Sequence, residues 1–220
     1  MSTKSALLVG ASGLVGGELL TQLLHSDSYQ KVTLFVRKPL PQSHPKLEQV
    51  VVDFDNLPTY SEHIHVSDLF CCLGTTIKTA KTKEAFRKVD YEYPLELARL
   101  AKTHGVEKYL IISSIGANAK SSFFYNQVKG QIESDLRTLD LPSLHIFRPS
   151  ILLGDRKEFR LGEQFGTVMS KSLTPLLPRK YRPIHGRTVA AAMLQTALAG
   201  PGGVHIYESD RIATLGAARP

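Results

Sequence analysis

Two residues that could carry out redox chemistry together stand four positions apart in the segment FFYNQVKGQ (123–131). Tyr125 and Lys129 would share one face of a helix, because residues four apart lie one turn from each other. A phenol on that face could donate a proton, and the ammonium beside it would stabilise the phenolate left behind. The chain has eight tyrosines, so chance could produce this spacing, and the pair needs support from the rest of the chain.

A glycine-rich segment near the start has the spacing of a dinucleotide phosphate loop. In LLVGASGLVGGELL, an apolar strand is followed by Gly10, Gly13 and Gly16, and then by a helical pattern. Such glycines let the chain turn sharply, approach a pyrophosphate and pack the helix on the sheet, while the helix N-terminus attracts the phosphates. A tight structural turn is the alternative, but the flanking strand and helix favour dinucleotide binding. The residues expected to bind the cofactor here are Gly10, Ser12, Gly13, Leu14, Val15 and Gly16.

The residues after the second predicted strand indicate which dinucleotide would bind. NAD-binding proteins usually carry an acidic residue there, about twenty positions after the glycines, whereas this chain has Arg37 and Lys38. Two cations would attract a 2′-phosphate, so the predicted cofactor is NADP(H), with a solvated basic turn as the alternative. Asp53 and Phe54, at the end of the third strand, are also expected to bind the cofactor; Asp53 could accept from the adenine amino group or simply cap the strand.

Short apolar runs alternate with longer helical patterns through the first 150 residues. Near-continuous Val, Ile, Leu and Phe are typical of parallel strands covered on both faces, so the alternation predicts a Rossmann-like, doubly wound α/β sheet. The predicted strands are 5–10, 31–36, 47–53, 68–74, 107–114 and 143–150. The predicted helices are 14–26, 83–104 with a break near Pro94, 122–140, and RTVAAAMLQTALAG near the C-terminus. We expect one domain over 1–220, with a cofactor-binding core (1–150) and a small, irregular substrate-side lobe with a packing helix (151–220).

In this order, the motifs resemble the short-chain dehydrogenase/reductase superfamily, and more closely its atypical Tat-interacting-protein-like members, an NADPH-binding group. The resemblance rests on VVDFDNL, FCCLGTT, FRKVDYEYPLELA, SSIGANAKSSFFYNQVKGQIE and FRPSILLGDRKEFRLGE. It implies that Tyr125 protonates the substrate oxygen, that Lys129 also holds the ribose hydroxyls, and that Ser113 or Ser114 orients that oxygen. The sequence does not choose between the two serines. Further cofactor contacts implied are Gly74, Thr75 and Thr76 at the nicotinamide ribose, and Pro149 to Ile151 at the carboxamide.

The resulting prediction is an NADP(H)-dependent oxidoreductase that acts on a small carbonyl/alcohol pair. One alternative is a regulator in which NADPH occupancy changes partner binding. Another is a nucleotide-sugar epimerase or dehydratase, although those enzymes usually carry a larger C-terminal lobe than residues 151–220 supply. Residues that could close or charge the mouth of the pocket, or simply belong to solvated loops, are Lys78, Arg156, Arg160 and His185.

Composition restricts the partners and the location. The net charge of +7 fits an anionic ligand or a solubility effect, and no basic run interleaved with aromatics predicts nucleic-acid binding. Apolar runs are shorter than a membrane span or a signal peptide requires, so we expect a cytoplasmic monomer or homodimer without membrane contact.

The sulfur and imidazole groups offer little further chemistry. Cys71 and Cys72 are adjacent in an apolar run, so we expect buried, reduced thiols that pack in the sheet. His63 and His65 are predicted to point the same way, but no third ligand has suitable spacing, and no metal site is expected.

Overall fold

The computed structural model describes residues 3–154 and 177–217, and these form a seven-stranded parallel sheet with helices on both faces. Its strands are β1 (Lys4–Val9), β2 (Tyr29–Val36), β3 (Leu47–Val51), β4 (Asp68–Cys71), β5 (Lys108–Ile112), β6 (Ser143–Arg148) and β9 (Gly203–Glu208). The spatial order is β3-β2-β1-β4-β5-β6-β9, and each neighbouring pair is parallel. The predicted Rossmann-like fold is therefore confirmed. A separate parallel pair joins β7 (Leu152–Leu153) to β8 (Ile184–His185).

Seven α-helices lie among the described residues and cover the two faces of the sheet. They are α1 (Leu14–His25), α2 (Ile77–Ala80), α3 (Lys83–Arg87), α4 (Tyr93–Thr103), α5 (Phe124–Arg137), α6 (Gly186–Ala199) and α7 (Ser209–Ala217). Buried residues of α1, α6 and α7 form one hydrophobic core with the sheet. Those of α4 and α5 form the other, together with a 3-10 helix at Phe54–Ile64. Central strands thus contact apolar layers on both sides, which explains their near-continuous apolar sequences.

The predicted helix over 83–104 is interrupted, and the interruption precedes the expected break at Pro94. A π-helical turn spans Lys88–Glu92 between α3 and α4, and Pro94 sits in the first turn of α4, where its missing N–H has no helical partner to lose. The wider turn brings the carboxylate of Asp90 into the interior, where the residue is 1% exposed.

The C-terminal part contributes more to the sheet than the sequence predicts. β9 and α7 follow α6, so the sheet continues past residue 150, beyond the expected boundary of the core. Strand ends also differ: β3 stops at Val51 and β4 at Cys71, two and three residues before their predicted ends. Within the described ranges, no helix combines the length and the apolar character needed to cross a membrane.

Candidate active site

The candidate residues converge because each follows the carboxyl end of a parallel strand. Gly10 follows β1, Arg37 follows β2, Gly74 comes after β4, Ser114 after β5, and Pro149 after β6. In a parallel sheet these ends lie along one edge, and open α/β sheets bind ligands in the crevice outside that edge. The fold therefore brings these predicted segments to one edge of the sheet.

The glycine loop is packed too closely to admit a side chain at two of its positions. Gly10 has φ +89°, and a Cβ there would lie 2.6 Å from the backbone carbonyl of Cys72. A Cβ on Gly16 would lie 2.1 Å from the carbonyl oxygen of Gly10. Gly13 is the N-cap of α1, and its N–H donates to the Gly10 carbonyl at 3.0 Å. This tight turn brings the N-terminus of α1 to the sheet edge, as anion binding requires.

The two cations at the end of β2 are exposed, as a phosphate-binding role requires. Arg37 and Lys38 follow Val36 directly, and neither forms an ion pair with another residue of the described ranges. Asp53 lies two residues beyond β3 and caps the 3-10 helix, its side chain accepting from the Asp55 N–H at 3.0 Å. Asp53 therefore caps the 3-10 helix rather than the strand end, and its adenine contact remains a prediction.

Helix α5 presents Tyr125 and Lys129 from a rigid position. The Tyr125 ring is half-buried and packs against Phe86, with 5.7 Å between ring centroids. A Cβ on Gly130 would lie 2.0 Å from the Ala119 nitrogen, so the loop after β5 crosses directly over the helix. The backbone N–H of Asn118 donates to the Asn126 carbonyl at 3.0 Å and fixes the loop to the turn that carries Tyr125.

Lys129 is buried and paired with an acid that sequence reasoning missed. Its Nζ lies 2.7 Å from Oδ1 of Asp90, and both side chains are almost fully enclosed. The other oxygen of Asp90 accepts from the backbone N–H of Thr75 at 2.8 Å. Asp90 therefore joins the lysine to the loop after β4, whose next residue, Thr76, caps α2.

The structure distinguishes the two serines after β5. Ser113 donates its hydroxyl to Oε1 of Glu133 at 2.5 Å, so that hydroxyl is engaged in the protein interior. The Ser114 hydroxyl is also buried, but it has no hydrogen-bond partner among the residues that the structure describes. An unbonded buried hydroxyl costs about 1–3 kcal/mol, which a bound ligand could recover. Of the two serines, Ser114 is thus the one whose hydroxyl has no partner among the described residues.

The segment after β6 is held by backbone bonds on both sides. The carbonyl of Pro149 accepts from the Ile115 N–H at 3.0 Å, and the carbonyl of Ile151 accepts from the Ile184 N–H at 2.9 Å. Leu14 packs beneath this region, because a Cβ on Gly154 would lie 2.4 Å from its Cδ1. The expected carboxamide contacts at 149–151 thus fall on a segment anchored to β5 and β8.

The remaining candidates divide into three groups. His185 ends β8 and Lys78 lies on α2, both exposed, whereas Arg156 and Arg160 lie outside the described residues. The expectation that His63 and His65 point the same way is wrong, because His63 lies in the 3-10 helix and His65 is the C-cap that follows it. His63 lies near Glu48, and the ring of His65 meets that of His104. No group of three or more potential metal ligands converges within 3–154 and 177–217.

Cavity volume does not locate the site. One cavity of about 320 Å³ lies beside Gly130 and Glu133, and one of about 480 Å³ lies between the 3-10 helix and α4. Neither is lined by Tyr125 or Ser114. The candidate site is therefore located by the polar groups at the carboxyl edge of the sheet and not by a cavity.

The parallel sheet, glycine loop and tyrosine–lysine helix define a Rossmann-type protein of the atypical short-chain dehydrogenase/reductase class. Within that class the chain belongs to the HIM1 family, whose sequence profile matches residues 21–181. It is 38% identical to the protein HTATIP2 of Rattus norvegicus, covering 98% of this chain and 90% of the relative. The predicted resemblance to Tat-interacting-protein-like members is confirmed.

A fungal relative adds to the family assignment, and a solved structure shares the fold. The chain is 33% identical to the mitochondrial protein FMP52 of Eremothecium gossypii, covering 96% of both chains. The fold matches that of the Bordetella bronchiseptica enzyme WbmH in complex with NAD⁺, with a TM-score of 0.71 and 14% identity over 94% of this chain and 76% of WbmH. The expectation of a cytoplasmic location is wrong, because the fungal relatives are named as mitochondrial proteins.

Proposed function

We propose that this protein is an NADP(H)-dependent oxidoreductase that interconverts a small carbonyl compound and its alcohol. The observation that carries the proposal is the buried Ser114 hydroxyl, which has no partner in the described part of the chain. It lies at the sheet edge to which α5 brings Tyr125 and Lys129. The glycine loop, where a Cβ on Gly10 or Gly16 would collide with backbone, fits a dinucleotide at the same edge.

The chemistry of the site follows from these groups. Bound NADPH would supply the hydride that reduces the carbonyl carbon. Ser114 would donate a hydrogen bond to the carbonyl oxygen and stabilise its developing charge. Tyr125 would give that oxygen its hydroxyl proton, which completes the alcohol, and solvent would then reprotonate the phenolate. Lys129 would stabilise the phenolate and bind the ribose hydroxyls.

Turnover over a panel of carbonyl compounds tests this proposal. Each compound is mixed with the protein and NADPH, and the loss of the reduced nicotinamide absorbance is followed. Steady consumption with any compound, abolished in a Lys129→Met variant, supports an oxidoreductase. Binding of NADPH without turnover of any compound would contradict it.

Cofactor choice is tested separately at the end of β2. If Arg37 and Lys38 bind the 2′-phosphate, NADPH binds at least about tenfold more tightly than NADH, or about 1.4 kcal/mol. Arg37→Ala removes most of that difference. Arg211→Ala, which removes another exposed arginine, on α7, leaves it unchanged. Equal affinities of the unaltered protein for the two cofactors, measured by titration calorimetry, would refute the NADP assignment.

One observation favours a second candidate, a cofactor-binding regulator. The charge of Lys129 is already offset by Asp90 at 2.7 Å, which reduces the support that its ammonium gives to a phenolate. A protein that only senses NADPH would keep such a pair to hold the loop at Thr75. For a regulator, NADPH would bind and alter partner binding, and no carbonyl compound would be reduced.

A further inference from the structure

A second buried charge on α5 connects the candidate catalytic elements. Glu133 lies four residues after Lys129 and eight after Tyr125, and is 2% exposed. Its Oε1 accepts the Ser113 hydroxyl at 2.5 Å and Nε of Arg148 at 3.0 Å. Its Oε2 accepts Nη2 of Arg148 at 2.5 Å. The carboxylate is thus held from β5 and from β6 at once.

Arg148 extends the same connection to the edge of the sheet. It is the last residue of β6, directly before Pro149, and its Nη1 donates to Oε1 of Glu208 at 3.0 Å. Glu208 ends β9. One guanidinium therefore ties α5 to the ends of β6 and β9, and its planar fork restricts the orientation of both carboxylates.

Ser113 directly precedes Ser114, so a restraint on the Ser113 side chain also limits where Ser114 can lie. The backbone N–H of Ser113 donates to the Phe147 carbonyl at 2.7 Å, and that of Ile115 donates to Pro149 at 3.0 Å. These bonds fix the segment within the sheet, but not its distance from α5. Of the described hydrogen bonds, the one from Ser113 to Glu133 is what links the side chains of this segment to the helix that carries Tyr125.

We propose that Glu133, held by Arg148, is a positioning residue that sets Ser114 against Tyr125 through the Ser113 hydroxyl. The inference rests on the proposed oxidoreductase function and extends it. Misplacement of catalytic groups by a fraction of an ångström lowers the rate of the chemical step while leaving ligand binding intact. A purely structural ion pair would instead affect stability alone.

The test compares variants of Ser113 with a matched buried serine. Ser113→Ala removes the hydrogen bond but keeps the Glu133–Arg148 pair, and we expect kcat to fall about tenfold or more, with KM for NADPH nearly unchanged. Ser113→Thr restores the hydroxyl and recovers most of kcat. Ser143→Ala, which removes a buried hydroxyl bonded to His145 at 2.8 Å, lowers stability without changing kcat. A Ser113→Ala protein with unchanged kcat would overturn the proposal.

Glu133→Gln separates positioning from direct catalysis by Ser113. If Ser113 acts through Glu133, the Glu133→Gln and Ser113→Ala variants lose similar amounts of kcat, and the double variant loses little more. Additive losses would show that Ser113 acts on its own and would refute the proposal. Should Glu133→Gln fail to fold because Arg148 is left half-paired, Glu133→Asp, which keeps the charge but shortens the side chain that reaches Ser113, takes its place in the same comparison.

A spectroscopic readout keeps this inference distinct from the function on which it rests. If the unaltered protein reduces no carbonyl, NMR of ¹³Cζ-labelled tyrosine is recorded on the NADPH complex, with the Tyr125 signal assigned from Tyr125→Phe. Positioning predicts that Ser113→Ala shifts this signal, that Ser113→Thr restores it and that Ser143→Ala does not move it. A signal unmoved by Ser113→Ala would refute the positioning role independently of turnover.

Discussion

At the amino edge of the sheet, the first residues of three strands lie together around one buried carboxylate. Oδ2 of Asp68 accepts the Tyr29 hydroxyl at 2.5 Å and lies 3.0 Å from Nζ of Lys4. At the carboxyl edge, Ser114 is also buried, and its hydroxyl has no partner among the described residues. Both edges bury polar groups, which are costly unless they are bonded. At the amino edge the Tyr29 hydroxyl bonds to Asp68, whose other oxygen, Oδ1, has no partner among the described residues, and at the carboxyl edge the unpartnered atom is the hydroxyl oxygen of Ser114.

Burial shifts the pKa values of several groups on the amino side of the sheet. Desolvation raises the pKa of Asp68, and it raises the pKa of Tyr29 with the help of that neighbouring carboxylate. Desolvation also lowers the pKa of His145, between Ser143 and Tyr207, to about 4. Tyr29 and Asp68 bond to each other, and His145 bonds to Ser143 and Tyr207, so we interpret these shifts as structural. A perturbed pKa is therefore not by itself evidence of a functional site in this protein.

The largest expected effect is the loss of turnover on removal of the Tyr125 hydroxyl at the carboxyl edge. The Tyr29 hydroxyl at the amino edge provides the comparison. Tyr125→Phe keeps the ring packing against Phe86 and should lower turnover by about 10²–10⁴, the contribution typical of a positioned proton donor. Its NADPH affinity should change little. Tyr29→Phe is the matched control, because it removes the hydrogen bond to Asp68 and should cost about 1–3 kcal/mol of stability with turnover retained.

Steady-state kinetics and denaturant unfolding of both variants test this contrast. If Tyr125→Phe retained full reductase activity, the tyrosine–lysine pair would be an ordinary feature of the helix surface. If Tyr29→Phe lost turnover without losing stability, the distinction between the two edges would fail.

A smaller effect is expected from the pH dependence of stability. Since the pKa of His145 is about 4 in the folded protein and about 6.5 in an unfolded chain, the unfolded state binds more protons between these values. The free energy of unfolding therefore falls as pH drops from 6.5 to 4, by up to about 3 kcal/mol from this residue. His145→Gln should remove this part of the dependence in urea unfolding at pH 7 and pH 4.5.

The ion pairs of neighbouring carboxylates also weaken in acid. The measurement therefore compares how steeply the free energy of unfolding falls with pH in the unaltered protein and in His145→Gln. The titratable groups whose charge acts on His145 are His205, whose ring stacks on that of His145 with 5.5 Å between centroids, and Lys108. If the stability of His145→Gln fell between pH 7 and pH 4.5 as steeply as that of the unaltered protein, His145 would not contribute to the pH dependence.

The sequence predicts the central strands and the glycine loop because their physical requirements are local. A strand buried on both faces must be apolar throughout, and a turn with φ +89° at Gly10 favours glycine. β9 is harder to predict, because as an edge strand it leaves Val204 and Ile206 exposed and shows no continuous buried run.

The site residues missed by the sequence depend on contacts between distant segments. The π-helical turn changes the helical phase before α4, so periodicity does not predict that Asp90 faces Lys129. Glu133 could have been noticed, since it continues the four-residue spacing of Tyr125 and Lys129 on α5. The choice between Ser113 and Ser114 required knowing which side of β5 faces that helix.

The smallest effect is expected from the two thiols, which lie where β4 approaches the candidate site. Cys71 packs in the core on the α4–α5 side and Cys72 in the core on the α1–α6 side, and burial raises the pKa of the Cys71 thiol. Because the thiolate is the reactive form, a thiol reagent should label the native protein slowly and the urea-unfolded protein rapidly. The carbonyl of Cys72, not its sulfur, closes on Gly10, so replacing both cysteines with Ala should leave NADPH affinity nearly unchanged. Rapid labelling of the native protein, or loss of NADPH affinity in the double variant, would place a thiol in the cleft.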